Sequence, residues 1–420
     1  MRNFGTASQE YSGTNTKGFF SPNACQRRTK HMPKRSWTLA DVEQDLYVEC
    51  FTVGPADVGG PATGYRIVKR RLYGGLRDGV DVVEVDNGLL RFVVVPTRGM
   101  GIWRARIADM TLGWQSPVKG PVHPAFVRLN EASGLGWLDG FDELVCRCGL
   151  ESNGAPEFHE DGRLRYNLHG KIANCPAHKV DLTIDGDTGL IAVVGVVDEA
   201  RLFGNKLRMI STITTRVGQP SFTITDVVTN ISAEPGELQL LYHINFGVPL
   251  LEPGAKLVAA FHKMAPHNDV AVGNLPDWDT YGPETPGAPE ACFFYDLAAD
   301  ADGQTQVLLH NASATRGVSV SFNKRQLPYF IQWKNRQAAI DGYVTGLEPA
   351  TNFPNNKSFE KSKGRVVVLP PAGSRTFQVT LQAHPTPEAV AAAKAQVEKL
   401  QENIPREILP KPNPDWSRGA

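Results

Sequence analysis

Apolar and polar residues alternate with a period of two along several segments of the chain. In these segments most apolar residues occupy every second position, and threonine, serine, asparagine or glutamine fill many positions between them, as in 222–228, 318–323 and 377–382. Successive side chains of a strand point to opposite faces, so the pattern predicts one buried face and one wetter face. We therefore expect half-buried antiparallel strands at these positions.

Other runs are apolar at nearly every position, namely 89–95, 191–197 and 238–244. Runs of this kind predict strands that are covered on both faces, in the middle of a thick sandwich. Turn-forming residues separate the runs, for example at 86–88, 185–187 and 234–236. The whole pattern favours an all-β fold built as a large antiparallel sandwich.

One segment, residues 387–403, predicts a helix. Thr386 can cap it, Pro387 suits its first position, and Val390 and Val397 fall on one face. We expect this short C-terminal helix to pack on the sandwich. Two long stretches without periodicity, 116–166 and 262–289, contain aromatic residues and are expected to form ordered walls of a cleft.

These features divide the chain into three parts. Residues 1–36 are polar and predict a disordered tail, residues 37–384 form the β domain, and residues 385–420 hold the helix and a tail. The N-terminus lacks the apolar stretch of a secretory signal, so we expect a cytoplasmic protein. Its six cysteines are then expected to be reduced thiols rather than a disulfide framework.

The net charge of the chain bears on which partners to expect. The chain of 420 residues has 44 basic and 44 acidic residues, a formal net charge of zero. This balance gives no electrostatic reason to expect a nucleic-acid or membrane partner. No apolar run reaches the roughly 18 residues that a membrane-spanning helix needs.

Three segments carry candidate chemistry: 168–171 with His169, 242–247 with His243, and 346–349 with Glu348. Histidine and a carboxylate can act as general acid and base near neutral pH. His243 sits inside an apolar strand, where burial is costly unless its ring nitrogens are paired. Asn245, two residues on, falls on the same face. Each histidine alone is more typical of a structural residue, so the candidate site depends on the three segments coming together.

The same segments give the chain a resemblance to a known family. The sequences VPTRGM at 95–100, HINFG at 243–247 and GLEP at 346–349, in this order, resemble the aldose 1-epimerase (galactose mutarotase-like) superfamily, and most of all its uncharacterised aldose 1-epimerase-like branch. The resemblance covers roughly residues 37–384. It implies a large antiparallel β-supersandwich with a sugar cleft and a small-molecule carbohydrate substrate. It also implies catalysis without a metal or an organic cofactor.

The resemblance also implies roles for single residues. Glu348 matches the general base that takes the proton of the anomeric hydroxyl, and His243 matches the general acid that protonates the ring oxygen. His169 matches a histidine that donates a hydrogen bond to substrate oxygens. Arg98 matches a substrate-contacting arginine, and Asn245 is expected to share the cleft. The implied reaction is ring opening to an aldehyde, rotation about C1–C2, and reclosure on the other face.

The chain departs from the family pattern in two ways. The aspartate that usually holds sugar hydroxyls has no match, and Lys171 follows His169 and Gly170 where the family pattern has no lysine. We expect Lys171, Lys334 and Glu151 to bring extra charge to the cleft. That charge would favour an acidic or oxidised sugar, or different proton chemistry.

Other functions stay open at this point. A lyase or isomerase that takes a proton next to a sugar carbonyl needs the same histidine and glutamate residues. A non-catalytic carbohydrate-binding protein could use the same sandwich. Two histidines and a carboxylate are also a legitimate metal ligand set. Finally, edge strands of a large sandwich could pair two copies into a homodimer.

Overall fold

The computed structural model describes residues 33–418, and nearly all of its regular structure is β-strand. The strands, in chain order, are β1 (Lys34–Asp41), β2 (Leu46–Tyr47), β3 (Phe51–Val53), β4 (Arg66–Arg71), β5 (Asp81–Asp86), β6 (Leu90–Val95), β7 (Gly101–Ile107), β8 (Met110–Leu112), β9 (Val145–Leu150), β10 (Glu157–Phe158), β11 (Leu164–Tyr166), β12 (Lys179–Asp185), β13 (Leu190–Ala200), β14 (Lys206–Arg216), β15 (Ser221–Asn230), β16 (Gly236–Gly247), β17 (Lys256–Ala259), β18 (Phe261–Pro266), β19 (Ala291–Leu297), β20 (Gln304–His310), β21 (Gly317–Asn323), β22 (Tyr329–Asn335), β23 (Val344–Ala350), β24 (Val367–Leu369), β25 (Ser374–His384) and β26 (Glu407–Ile408).

Helices are short. The α-helices are α1 (Pro55–Val58), α2 (Asp269–Gly273), α3 (Lys357–Ser362) and α4 (Pro387–Gln401). Single turns of 3-10 helix cover Val42–Gln44, Gly75–Arg77, Pro124–Phe126, Gly136–Gly140, Ile172–Asn174, Leu275–Asp277 and Ala339–Asp341. No helix within 33–418 combines the length and the apolar character that crossing a membrane would require.

Two large sheets make the sandwich. The first has the strand order β17-β20-β21-β25-β15-β14-β13-β12-β1-β2. The second has the order β26-β18-β19-β22-β23-β16-β9-β7-β6-β5-β4-β3, with β24 added to β16 and β8 to β7. Neighbouring strands are antiparallel except β18 and β26. The predicted all-β supersandwich with a C-terminal helix is confirmed.

Strand alternation separates the core from a second apolar cluster. Tyr242, Ile244 and Phe246 of β16 belong to the main core, which also contains residues of the first sheet. Leu241, which directly precedes Tyr242, belongs to a cluster on the opposite face of the second sheet. The prediction that β16 is covered on both faces is therefore confirmed. For β13 it was wrong: this strand of the first sheet alternates buried and half-buried residues, because one of its faces meets solvent.

A buried ion pair joins the two sheets. Arg147 of β9 binds Asp226 of β15 through two hydrogen bonds of 2.5 and 2.9 Å. The same guanidinium donates to Ser211 and to the carbonyl oxygens of Gly99 and Met100. Asp226 also accepts from the Tyr242 hydroxyl at 2.8 Å. Because the partners satisfy both charges, this pair fixes the relative position of the sheets without an orphaned charge.

The first strand and the last helix of the described residues begin close to the predicted positions. The hydroxyl of Thr386 accepts from the backbone N–H of Ala389 and caps α4, as predicted. Helix α4 buries Val390, Ala393 and Val397. Strand β1 begins at Lys34, inside the segment expected to be a tail. Residues 1–32 of that expected tail lie outside the described part of the chain.

Candidate active site

A cleft of about 630 Å³ lies on the face of the second sheet that is turned away from the core. Strands β16, β19, β22 and β23 supply its floor, and the stretches 114–118 and 135–141 supply walls. Its volume falls in the ordinary range of small-molecule sites. The lining includes the aromatic side chains of Trp114, Trp137, Phe141, Phe294 and Trp333 and the imidazoles of His169, His243 and His267.

Asn245 fixes the orientation and the tautomer of His243. Both side chains project from the same face of β16, and Oδ1 of Asn245 lies 2.6 Å from Nδ1 of His243. The amide nitrogen of Asn245 donates to the backbone oxygens of Glu143 and His243. Since a carbonyl can only accept, the amide oxygen must face the ring, and Nδ1 must carry the proton. Neutral His243 therefore presents a lone pair on Nε2.

Glu348 lies opposite that nitrogen. It projects from β23, which pairs with β16, and its Oε1 is 3.2 Å from Nε2 of His243. The side chain is 2% exposed, and Oε1 makes no well-aligned hydrogen bond with any described residue. Burial raises the pKa of Glu348 well above its usual value, and the charge of Glu290 adds to this shift. Burial and the neighbouring His169 lower the pKa of His243 to about 3.

The pKa shifts of Glu348 and His243 favour one protonation state of the pair without a ligand. Burial disfavours the charged form of each group, so a protonated Glu348 beside a neutral His243 is favoured over two separate charges. The pair then carries one titratable proton, and Oε1 and Nε2 lie 3.2 Å apart without a well-aligned hydrogen bond between them. A substrate that inserts polar atoms beside the pair can move that proton between oxygen and nitrogen.

His169 approaches the pair from a loop with a constrained backbone. Its φ is +58°, and that of Gly170 is +73°. A Cβ on Gly170 would lie 2.0 Å from the backbone oxygen of Ser152, so only glycine fits there. Nδ1 of His169 lies 2.9 Å from the backbone oxygen of Asn153 and donates to it. Nε2 of the neutral ring is therefore an acceptor, not the hydrogen-bond donor that the resemblance implied. Burial lowers the pKa of His169 to about 4.

A pair of buried amides ties this loop to the strand of Glu348. The side chains of Asn153 and Asn352 exchange two hydrogen bonds of 3.0 and 2.8 Å. Asn352 lies just beyond the end of β23. The rings of His169 and His243 lie 5.5 Å apart between centroids. The structure thus brings together the three residues His169, His243 and Glu348, which are distant in sequence.

The cations expected in the cleft lie elsewhere. Arg98 is buried and forms an ion pair with Glu143, and it donates to Asn174 and to the backbone oxygens of Val122 and Gly140. Lys334 projects from the core face of β22 and donates to the backbone oxygens of Asp277 and Thr280. Lys171 is half-buried with its Nζ 3.9 Å from Glu151. None of the three lines the cleft.

Arg98 and Asn245 support the site instead of lining it. Arg98 binds the segment 140–143, and the backbone oxygen of Glu143 accepts from Asn245. Asn245 is fully buried and reaches the cleft only through the ring of His243. Both residues therefore support the position of His243, and neither lines the cleft.

Three aromatic rings surround His243: Phe141 and Trp137 come from the stretch 116–166 that was expected to form a cleft wall, whereas Trp333 was not predicted. Ring centroids of Phe141, Trp333 and Trp137 lie 5.0, 5.4 and 6.1 Å from that of His243. Trp333 could have been found from strand register, because it pairs with Gly346 and so shares a face with Glu348. The indole N–H of Trp333 donates to Glu290 at 2.6 Å, which brings a second carboxylate to the cleft.

A metal site is not formed by these side chains. The part of the chain from 33 to 418 contains no group of three or more histidine, cysteine, aspartate or glutamate residues placed to hold a metal ion. Cys146 and Cys148 lie beneath the cleft as free, buried thiols, and burial raises the pKa of both.

The fold and the sequence are shared with solved structures. A candidate aldose 1-epimerase from Klebsiella pneumoniae is 32% identical, with a TM-score of 0.87, over 90% of this chain and 99% of that one. A galactose mutarotase related enzyme from Lactobacillus acidophilus has a TM-score of 0.50 at 12% identity, over 73% of this chain and 98% of that one, and shares the fold alone. No curated protein matches the sequence.

Residues 77–383 match the family described as Domain of unknown function (DUF4432). The match spans most of β5 to β25 and so includes His169, His243 and Glu348. Together with the Klebsiella pneumoniae structure, it shows that the chain belongs to the DUF4432 family, within the aldose 1-epimerase and galactose mutarotase-like proteins.

Proposed function

We propose that the protein interconverts the α and β anomers of a reducing sugar by general acid–base ring opening and closure. The observation that carries the proposal is the contact between Nε2 of His243 and Oε1 of Glu348, 3.2 Å apart at the floor of the cleft. Opening a sugar ring needs one group that takes a proton and one that gives a proton. A pair that shares a single proton provides both.

The proton steps follow from the tautomer that Asn245 imposes. When a sugar binds, the shared proton moves to Nε2, which leaves Glu348 as a carboxylate and His243 as an imidazolium. Glu348 takes the proton of the anomeric hydroxyl while the C1–O5 bond breaks and C1 becomes an aldehyde. Nε2 gives its proton to O5. After rotation about C1–C2, reclosure reverses both transfers, and no electron or atom is gained or lost.

The surroundings of the pair support a sugar as the ligand. The rings of Phe141, Trp137 and Trp333 offer apolar faces to the C–H groups of a pyranose. Nε2 of His169 is an acceptor for a hydroxyl beside the reacting oxygens. A positioned acid or base typically accelerates a reaction by about 10² to 10⁴-fold. That factor is adequate for anomer exchange, which already proceeds slowly in water.

Anomer exchange measured by NMR saturation transfer tests the proposal. The wild-type protein is compared with Glu348→Gln over a panel of reducing sugars. Glutamine keeps the shape of the side chain, and its amide can donate to the lone pair on Nε2, so the variant should fold. We expect loss of at least about 10²-fold of the enzyme-dependent exchange.

A matched control is Glu84→Gln, which removes one carboxylate from β5, where Glu84 pairs with Arg70 outside the cleft. It should keep wild-type exchange. If Glu348→Gln retains exchange, the proposed acid–base pair is wrong. If wild type exchanges no anomer but consumes a sugar, lyase or isomerase chemistry replaces the proposal, and binding without turnover replaces it with a carbohydrate-binding role.

A further inference from the structure

The cleft is lined by carboxylates without a matching cation. Glu290 and Asp341 lie at its rim, and Glu348 lies at its floor. Neither a lysine nor an arginine from 33–418 contributes to the lining. The expected cations are used elsewhere: Arg98 binds Glu143, Lys171 lies by Glu151, and Lys334 holds backbone oxygens. With Glu348 protonated, Glu290 and Asp341 give the cleft lining an excess of negative charge, whereas the sequence predicted extra charge from Lys171, Lys334 and Glu151.

Glu290 is held in place over the cleft. Its Oε2 accepts the indole N–H of Trp333 at 2.6 Å, and the Trp333 ring packs against His243 with centroids 5.4 Å apart. Its Oε1 accepts no hydrogen bond from the described residues, and the side chain is exposed where it lines the cleft. Glu348 is 2% exposed and lines the same cleft, with its Oε1 3.2 Å from Nε2 of His243, so Glu290 and the acid–base pair face one ligand space.

We propose that Glu290 sets the charge selectivity of the cleft, so that it takes uncharged and amino sugars and rejects sugar acids and sugar phosphates. This inference rests on the proposed function, since it assumes that the ligand is a reducing sugar. An anionic group in the cleft would lose water and face carboxylates with no guanidinium or ammonium to replace that water. An ammonium group would instead be attracted to the free oxygen of Glu290.

The fixed carboxylate also links selectivity to the reacting pair. The negative charge of Glu290 contributes to the raised pKa of Glu348. Replacing Glu290 with glutamine should therefore change two properties together. The penalty against anionic sugars should shrink, and the pKa of Glu348 that the rate profile reports should fall.

The test uses four matched ligands: a neutral aldohexose, its 2-amino-2-deoxy analogue, its uronic acid and its 6-phosphate. Binding is measured by isothermal titration calorimetry and turnover by NMR saturation transfer, with wild type, Glu290→Gln and the control Glu84→Gln. For wild type we expect the amino sugar to bind at least as tightly as the neutral sugar. The two anions should bind at least about fivefold more weakly.

In Glu290→Gln the ratio of neutral to anionic affinity should fall by about fivefold or more, with no change in Glu84→Gln. Wild type that binds the uronic acid or the phosphate as well as the neutral sugar overturns the inference, as does an unchanged ratio in Glu290→Gln. Selective binding without anomer exchange would reject the proposed function alone. Anomer exchange of all four ligands at equal efficiency would reject the charge selectivity alone.

Discussion

Gly346 provides the sharpest test of the geometry of the reacting pair. It shares a face of β23 with Glu348, and a Cβ built on it would lie 2.3 Å from Oε1 of Glu348 and 3.1 Å from Cε1 of His243. Ordinary van der Waals contact begins near 3.4 Å, so in Gly346→Ala the carboxylate must move by about 1 Å. A displacement of about 1 Å at a reacting group can lower the rate by about 10²-fold.

The same substitution should not unfold the protein. The φ of Gly346 lies outside the left-handed region, so alanine can adopt its backbone conformation. The clash involves mainly the end of a flexible side chain. A glycine-to-alanine change at such a position lowers the entropy of the unfolded chain and adds about 0.4–1 kcal/mol of stability. We therefore expect activity to fall by about 10²-fold while the free energy of unfolding stays equal or rises.

The rate of anomer exchange and the free energy of unfolding in urea are measured on the same preparation. Gly273→Ala is the matched control, because its Cβ would meet no atom within 4 Å and its φ is also ordinary. It should leave exchange unchanged. Full exchange activity in Gly346→Ala would refute the reasoning, because it would mean that the position of the Glu348 carboxylate does not limit the reaction.

Two further predictions concern stability. Asp226→Asn removes the charge that neutralises buried Arg147, and should lower the free energy of unfolding by about 3–5 kcal/mol in urea titrations; a loss below 1 kcal/mol would contradict the role of the pair in joining the sheets. His384 lies 2.6 Å from the Ser319 hydroxyl, and burial lowers its pKa to about 4 from an unfolded value near 6.5. Its contribution is therefore complete above pH 6.5 and is lost as the pH falls to 4, so the stability difference between wild type and His384→Gln should shrink over that interval. A difference that stays constant from pH 7 to 4 would show that His384 is not held neutral.

The fold could be predicted from the sequence because strand alternation is a local property. The period-two segments form β15, β21 and β25, as predicted. The order of the sequence motifs indicated the family. Strand β9 was missed, because its sequence VCRCGL places arginine in the middle of a short apolar run. Only the three-dimensional structure supplies Asp226, which makes that buried arginine stable.

The site was predictable only in part, because the partners that orient its residues are distant in sequence. Sequence identifies His243 and Glu348 as unusual polar residues in apolar strands, but it does not say which face of a strand borders the cleft. Lys334 is one residue from Trp333 and faces the opposite way, so its charge never reaches the ligand space. Arg98 was recognised from its motif, yet its partner Glu143 lies 45 residues away and decides its orientation.

The two faces of β16 and β23 carry the proposed acid–base pair and part of the folding core on the same strands. In β16, core residues Tyr242 and Ile244 flank His243, and in β23 the core residue Leu347 precedes Glu348. A register slip of one residue would turn His243 and Glu348 between the sheets and bring apolar side chains into the cleft. Misregistered pairings would therefore bury unpaired polar groups. His243 and Glu348 thus favour the correct strand pairing during folding.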